Sequence, residues 1–339
     1  MVGILDICLF VAFVFSVPFY CTYLGTLFKF RNKKPFSSDF FRLCFCWGLL
    51  DIVGLTNSWF FFKFPQYGWF GVPTLVQWKP VFWAKLANLV RWYCGLTVSQ
   101  FVVAVAFNRL TRVAFPLQHD LIWTEKFLRV GFAFLLGSTI IWISPVIYAD
   151  LTFLINNETG AVGPTIFLDR KIHVAYYTFA MFHAFACSII SMSLYGLLLI
   201  FTRINNKVTP NGISSNTQEE AQVRKVQHKM VFFGLIMSVL LSLISVYLAL
   251  MTTTTDKKKM VVYLQMRGVL VDMFYWMNPY VTLALSGTVR KHYKAFLTRK
   301  PVEGQMNQQN LHVIDVPAVS MSRAPRLQPR SAVVSLSRV

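Results

Sequence analysis

Residues 230–251 read MVFFGLIMSVLLSLISVYLALM, 22 positions without one charged side chain. A helix needs about 20 apolar residues to cross the hydrocarbon core of a bilayer, so this run predicts a membrane span. Outward from it, six more stretches of the same kind appear. Ile7–Phe28, Leu43–Phe62, Leu86–Phe107, Val130–Ala149 and Val174–Phe201 precede it, and Met260–Leu285 follows it. The fifth span is longer than the bilayer requires and predicts tilt or projection beyond it. The seventh is the least apolar, because it carries Arg267 and Asp272. The expected fold is an all-α membrane protein, a bundle of seven transmembrane helices.

Composition agrees. Of 339 residues, 55% are hydrophobic and only 14% charged, against roughly 25% charged in soluble domains. A chain so poor in charge cannot cover its own surface with polar groups, so membrane lipids are its expected surroundings. The net charge of +19 would suit nucleic acid if the basic residues shared one face. Instead they gather between apolar runs, which argues against nucleic acid as a partner. All six cysteines lie inside apolar runs and read as small hydrophobes. None has metal-ligand spacing, and the six histidines show no i, i+4 pair, so neither a metal, a cofactor nor a hydrolase site is expected. Asp6 precedes the first run and no basic segment leads into it, so that run reads as an uncleaved span rather than a signal peptide.

The basic clusters set orientation. The loops after spans one, three and five, with the C-terminal segment, hold 23 Lys and Arg against eight on the other side. Excess positive charge stays cytoplasmic, which predicts an N-terminus outside the cell and a multi-pass protein of the plasma membrane. The sequon Asn157-Glu158-Thr159 then lies outside, where Asn157 can be glycosylated. Trp59, Tyr67, Trp69, Trp78 and Trp83 crowd the first outer loop and read as an interfacial aromatic belt.

Several cytoplasmic features carry a functional argument. Span three ends in Asn108-Arg109-Leu110, and Pro116-Leu117 follows. Arg109 at the bilayer edge either reaches facing helices or snorkels and helps to set topology. Near the inner end of span seven, the proline of Asn278-Pro279 frees a backbone carbonyl and kinks the helix, as a static bend or a two-state element. Beyond it, Val289, Tyr293, Phe296 and Leu297 recur at helical spacing opposite Arg290, Lys291, Lys294 and Arg299. That pattern predicts a short amphipathic eighth helix on the anionic inner leaflet. Asn211-Gly212 reads as a turn and Thr217-Gln218-Glu219-Glu220 as a capping box. With Glu220 and Arg224 four apart, helix six is expected to extend into the cytoplasm. The chain thus divides into a helical domain over residues 1–299 and a disordered cytoplasmic tail over 300–339, rich in Ser, Pro and Gln. Ser320, Ser322, Ser331, Ser335 and Ser337 are candidates for phosphorylation there.

Two acids lie within spans, Asp51 and Asp272, where a charge costs a few kcal/mol. Each needs a partner, a wet cavity or a proton. Arg91 and Arg267 occupy the outer halves of spans three and seven, with Trp92, Tyr176, Tyr177, Phe179 and His183 nearby. Either these residues line a cavity for a small, anionic ligand, or the arginines snorkel outward and pair with Asp169 and Asp256.

Asn108-Arg109-Leu110 with Pro116-Leu117 resembles the D-R-Y motif and following Pro-Leu of rhodopsin-like G-protein-coupled receptors, at the same spacing. The resemblance implies that Leu117 docks into a heterotrimeric G protein. Asn108 replaces the usual acid, which removes the expected ionic partner of Arg109. Asn278-Pro279 resembles N-P-x-x-Y, with Thr282 at the tyrosine position and Tyr280 directly after the proline. Asp51 with Asn278 resembles the sodium-binding polar cluster of those receptors, implying a sodium ion near Asp51. Asp272 and Pro279 are grouped with them as a polar switch. Pro35-Phe36, Asp51-Ile52 and Phe64-Pro65 through Gly68-Trp69 look like nematode serpentine receptors. So does Phe107-Asn108-Arg109-Leu110-Thr111 through Phe115-Pro116-Leu117 to Ile122-Trp123. The similarity is to the Srg superfamily, in particular its Srv branch, and excludes the tail. It implies a chemosensory receptor in sensory neurons and their cilia, with a small-molecule ligand and a G-protein partner. Two readings compete: a ligand-gated channel subunit of inverted topology, which the charge count opposes, and a non-signalling membrane protein.

Overall fold

The computed structural model describes residues 4–33, 36–69, 78–155, 162–208, 217–254 and 256–299. Seven long helices run through it: α1 (Ile4–Phe30), α2 (Asp39–Ser58), α3 (Pro80–Ala114), α4 (Glu125–Ile143), α5 (Arg170–Val208), α6 (Thr217–Thr253) and α7 (Lys257–Leu285). A twelve-residue helix, α8 (Gly287–Thr298), follows. Five of the seven are long and apolar enough to cross a membrane by length and composition. The other two, α2 and α7, fall short because they carry polar residues that are buried against each other inside the bundle. The faces turned outward are apolar, as lipid requires: Phe134 and Ile141 on α4 are 68% and 72% exposed.

The longest helices agree with the sequence pattern. At 39 residues, α5 is about 58 Å long at 1.5 Å per residue, well beyond the bilayer. The start of α6 at Thr217 matches the capping pattern there. These two helices make the most extensive pairing in the bundle, and small residues allow it. Ser188 donates to the Ser238 carbonyl at 2.7 Å and meets the Ser242 hydroxyl at 2.7 Å, while Ser191 meets the Ser238 hydroxyl at 2.6 Å. The Tyr195 ring lies flat against Gly234.

Past Ser58, α2 continues as one wide π turn, Trp59–Lys63, and a last helical turn, Phe64–Tyr67. Pro65 accounts for the change. A proline lacks the N–H of the α register and its ring clashes with the carbonyl four residues back. Here the Phe64 N–H reaches back to Trp59, five residues away. The extra residue in that turn rotates the end of the helix and brings Lys63 to the bundle interior, where it is 8% exposed. Lys63 therefore does not belong to the flanking loop in which the basic-residue count places it. Trp59 is also corrected: it is fully buried, stacked on Phe13 at 4.6 Å. Trp78, exposed at 70%, is a better fit to an aromatic belt.

The sequence pattern did not predict a hairpin between α4 and α5. Strands β1 (Leu151–Ile155) and β2 (Val162–Phe167) pair antiparallel. Leu151, Phe153, Thr165 and Phe167 point inward and are buried, so the hairpin covers one end of the bundle, packed on α3 and α5. The sequon at Asn157, the Asn211-Gly212 turn and the tail from residue 300 lie outside the described residues, as do the side chains of Glu220 and Arg224.

Candidate ligand site and coupling end

Two polar networks sit on α7, one toward the hairpin end and one toward the α8 end. At the hairpin end Asp272 is fully buried. One carboxylate oxygen accepts from the Lys63 ammonium in a short ion pair, and the other accepts from the Ser58 hydroxyl at 3.0 Å. Asp272 therefore does not join Asp51 and Asn278 in one switch: a buried acid takes the nearest cation, and the π turn of α2 supplies it. Lys63 also stands over the Trp59 ring at 4.2 Å.

Two guanidiniums flank this pair. Arg91 lies over Phe62 at 4.4 Å and Arg267 over Trp92 at 5.6 Å. Both neighbour Tyr177 and Tyr275, and they sense one another electrostatically. Arg267 is 6% exposed. Neither arginine pairs with Asp169 or Asp256, and among the described residues no carboxylate lies within ion-pair distance of either. Trp92 packs edge-on to Tyr177 at 5.4 Å and near Tyr176 at 6.1 Å. From the hairpin, Phe167 stacks on Tyr176 at 5.3 Å. The structure thus gathers Arg91, Trp92, Tyr176, Tyr177 and Arg267.

Phe179 and His183 stand apart from this cluster. Phe179 stacks on Trp142 of α4 at 4.5 Å. His183 approaches the Gln100 amide at 3.3 Å and the Cys187 thiol at 3.9 Å, on the face of α5 toward α3 and α4. About one turn of helix separates Phe179 from Tyr176, and two turns separate His183.

The second network centres on Asp51, also fully buried. Its oxygens accept from the Tyr20 hydroxyl at 2.5 Å, the Trp47 indole N–H at 3.0 Å and the Asn278 amide at 3.5 Å. Asp51 and Asn278 are together, and α1, α2 and α7 meet there. In this arrangement the three neighbours present hydrogens to the carboxylate, whereas a bound cation would take its oxygen lone pairs. Thr282 donates to the Asn278 side chain at 3.4 Å. Tyr280 instead faces α1, stacked on Phe19 at 4.5 Å with its hydroxyl 2.9 Å from Ser16. Between the networks, Tyr275 lies against Gly54.

At the α8 end, Arg109 pairs with no acid among the described residues. Its guanidinium lies 3.4 Å from the centre of the Phe40 ring on α2, and the Asn108 amide nitrogen has no partner among the described residues. The segment after it is braced by Thr111, whose hydroxyl accepts from the Trp123 indole at 2.8 Å and meets His119 at 3.2 Å. Arg112 reaches Asp120 at 3.5 Å. This bracing holds Pro116 and Leu117 outward on a turn, with Leu117 70% exposed. Trp123→Phe, which keeps the ring and removes the N–H, is expected to cost about 1 kcal/mol and to raise amide exchange across residues 115–122.

α8 docks through His292, which is buried between Phe30 and Phe36 at 4.8 Å from each. Burial pushes this imidazole below its ordinary value of 6.5; the Thr288 carbonyl opposes that shift, while Lys33 and Lys291 add to it. The released helix takes up a proton as pH falls through about 6.5, and the docked helix only at lower pH. Docking is therefore at full strength above that value and weakens as pH falls below it. A spin label on α8 should report release on acidification, and His292→Phe should abolish the response.

Seven long helices with buried polar networks along one of them, and a short helix after the last, fit a multi-pass helical membrane bundle. The profile of the serpentine type 7TM GPCR chemoreceptor Srv family matches residues 9–298. The chain belongs to that family. It is 32% identical over 107 residues to serpentine receptor class V-1 of Caenorhabditis elegans, a match covering 32% of this chain and 33% of that protein. The chain thus spans about a third of the length of that relative.

Proposed function

We propose that this chain is a chemosensory G-protein-coupled receptor of the plasma membrane, sited in sensory neurons. A small molecule binds among Arg91, Trp92, Tyr176, Tyr177 and Arg267, and a heterotrimeric G protein binds at Arg109 and Leu117. The hairpin end faces outward, with Asn157 glycosylated, and the α8 end faces the cytoplasm, with α8 on the inner leaflet. One observation carries the reading. A single helix, α7, holds Arg267 and Asp272 in the hairpin-end cluster and Asn278 and Pro279 in the network beyond it. A ligand that displaces α7 at one end therefore strains the contacts of Asp51 at the other, and Pro279, which leaves the helix one backbone hydrogen bond short, gives it room to move.

The test is signalling in cells across a panel of volatile and small polar compounds. Wild type should respond, and Arg109→Ala and Leu117→Ala should both fail at equal surface expression. Responses that persist in both variants would contradict coupling at this end.

A further inference from the structure

The hairpin-end cluster has an unbalanced charge. Lys63, Arg91 and Arg267 come from three different helices, and Asp272 is the one acid among them in the described residues. Both oxygens of Asp272 are already taken, by Lys63 and Ser58. Arg91 feels the Asp272 charge, but among the described residues neither guanidinium has a carboxylate within ion-pair distance. A buried charge is ordinarily paired or hydrogen-bonded, yet the Arg267 Nε has no partner among the described residues. Snorkelling does not account for it, since Arg267 is 6% exposed and lies over the Trp92 ring. A residue with a purely structural role would have found a carboxylate or a carbonyl in so crowded a place.

The surroundings specify the missing group. A guanidinium presents a planar fork of N–H donors that fits an oxyanion with two coplanar oxygens. Arg91 and Arg267 neighbour each other, so one oxyanion can take a fork from each. The Trp92 indole beside them is 4% exposed, and its own N–H has no partner among the described residues. Tyr177 and the hairpin's Phe167 add aromatic wall rather than further charge.

We propose that this cluster is a carboxylate site, and that its ligands are small organic acids with an aromatic or short apolar body. The proposal rests on the receptor reading and names what that same site takes. The carboxylate lies between Arg91 and Arg267, the body lies against Trp92 and Tyr177, and Lys63–Asp272 stays intact behind them.

The test uses the full chain in lipid nanodiscs, with benzoate and hexanoate at millimolar concentration as probes. Benzamide and hexanamide serve as neutral counterparts, and inorganic phosphate as an oxyanion without a body. The acids should bind about tenfold or more tighter than their amides, the factor expected for a charge-assisted bond. Arg91→Gln and Arg267→Gln should each remove that preference, and Arg267→Lys should restore part of it. A second readout separates a ligand site from a structural role. Removing an unpaired buried charge should raise the thermal midpoint of the ligand-free protein, so Arg267→Gln should melt higher than wild type; a lower midpoint would overturn the proposal. Equal binding of acids and amides would overturn it while leaving a small-molecule site in place. Phosphate binding as tightly as benzoate would likewise overturn the assignment of an organic acid. No binding of any probe would overturn both the proposal and the location of the site.

Discussion

Lys63→Met alone should destabilise the protein by about 3–5 kcal/mol, the cost of leaving one partner of a buried ion pair without the other. Asp272 would remain fully buried with only the Ser58 hydroxyl on its carboxylate, and surface expression should collapse. The effect belongs to the orphaned charge, not to a large net strength of the pair. Replacing both ends with apolar groups, Lys63→Met with Asp272→Leu, should therefore recover most of the stability. Thermal midpoints of the two single variants and the double variant check this. A double variant as unstable as the sum of the singles would show that the pair is not coupled as described.

The second large effect is expected at Gly54. A Cβ there would come within 2.7 Å of the Tyr275 ring, which is 3% exposed and cannot move aside. Gly54→Val should cost about 1–3 kcal/mol or more through overpacking. Because Tyr275 stands between the two networks, the wedge parts α2 from α7 on both sides, at Lys63–Asp272 and at Asp51–Asn278. Tyr275→Ala in the same chain should restore expression by vacating the space. If Gly54→Val alone expresses and melts like wild type, α2 and α7 do not meet as closely as the structure has them.

Much of this architecture is legible in the sequence. Long uncharged runs mark most of the spans, because lipid leaves a helix no choice but apolar side chains. The pairing of Asp51 with Asn278 came from resemblance. Trp47 was within reach of the same reasoning, one helical turn before Asp51 and on its face. Tyr20 was not, since nothing along α1 says which of its residues meets a neighbouring helix. The partner of Asp272 was missed for a physical reason: counting positive charge treats every lysine near a span end as solvated. The signal that could have corrected it was Pro65, two residues beyond Lys63, which prevents an ordinary helical turn there and changes the direction of the side chains before it. The hairpin was hidden because its inward residues, Leu151, Phe153 and Phe167, look like the frayed ends of apolar spans. Phe179 and His183 were grouped with Tyr176 and Tyr177 by nearness in sequence, whereas their contacts lie toward α3 and α4.

The central claim is that a ligand at the hairpin end is sensed at Leu117, on the opposite end of the bundle. Its most direct test is nucleotide exchange on a heterotrimeric G protein, catalysed by the full chain in nanodiscs with and without the tightest-binding small molecule. The account predicts ligand-stimulated exchange by wild type and its loss in Leu117→Ala, with ligand affinity unchanged in that variant. A ligand that binds, evokes no exchange and instead opens an ionic current across the bilayer would contradict it.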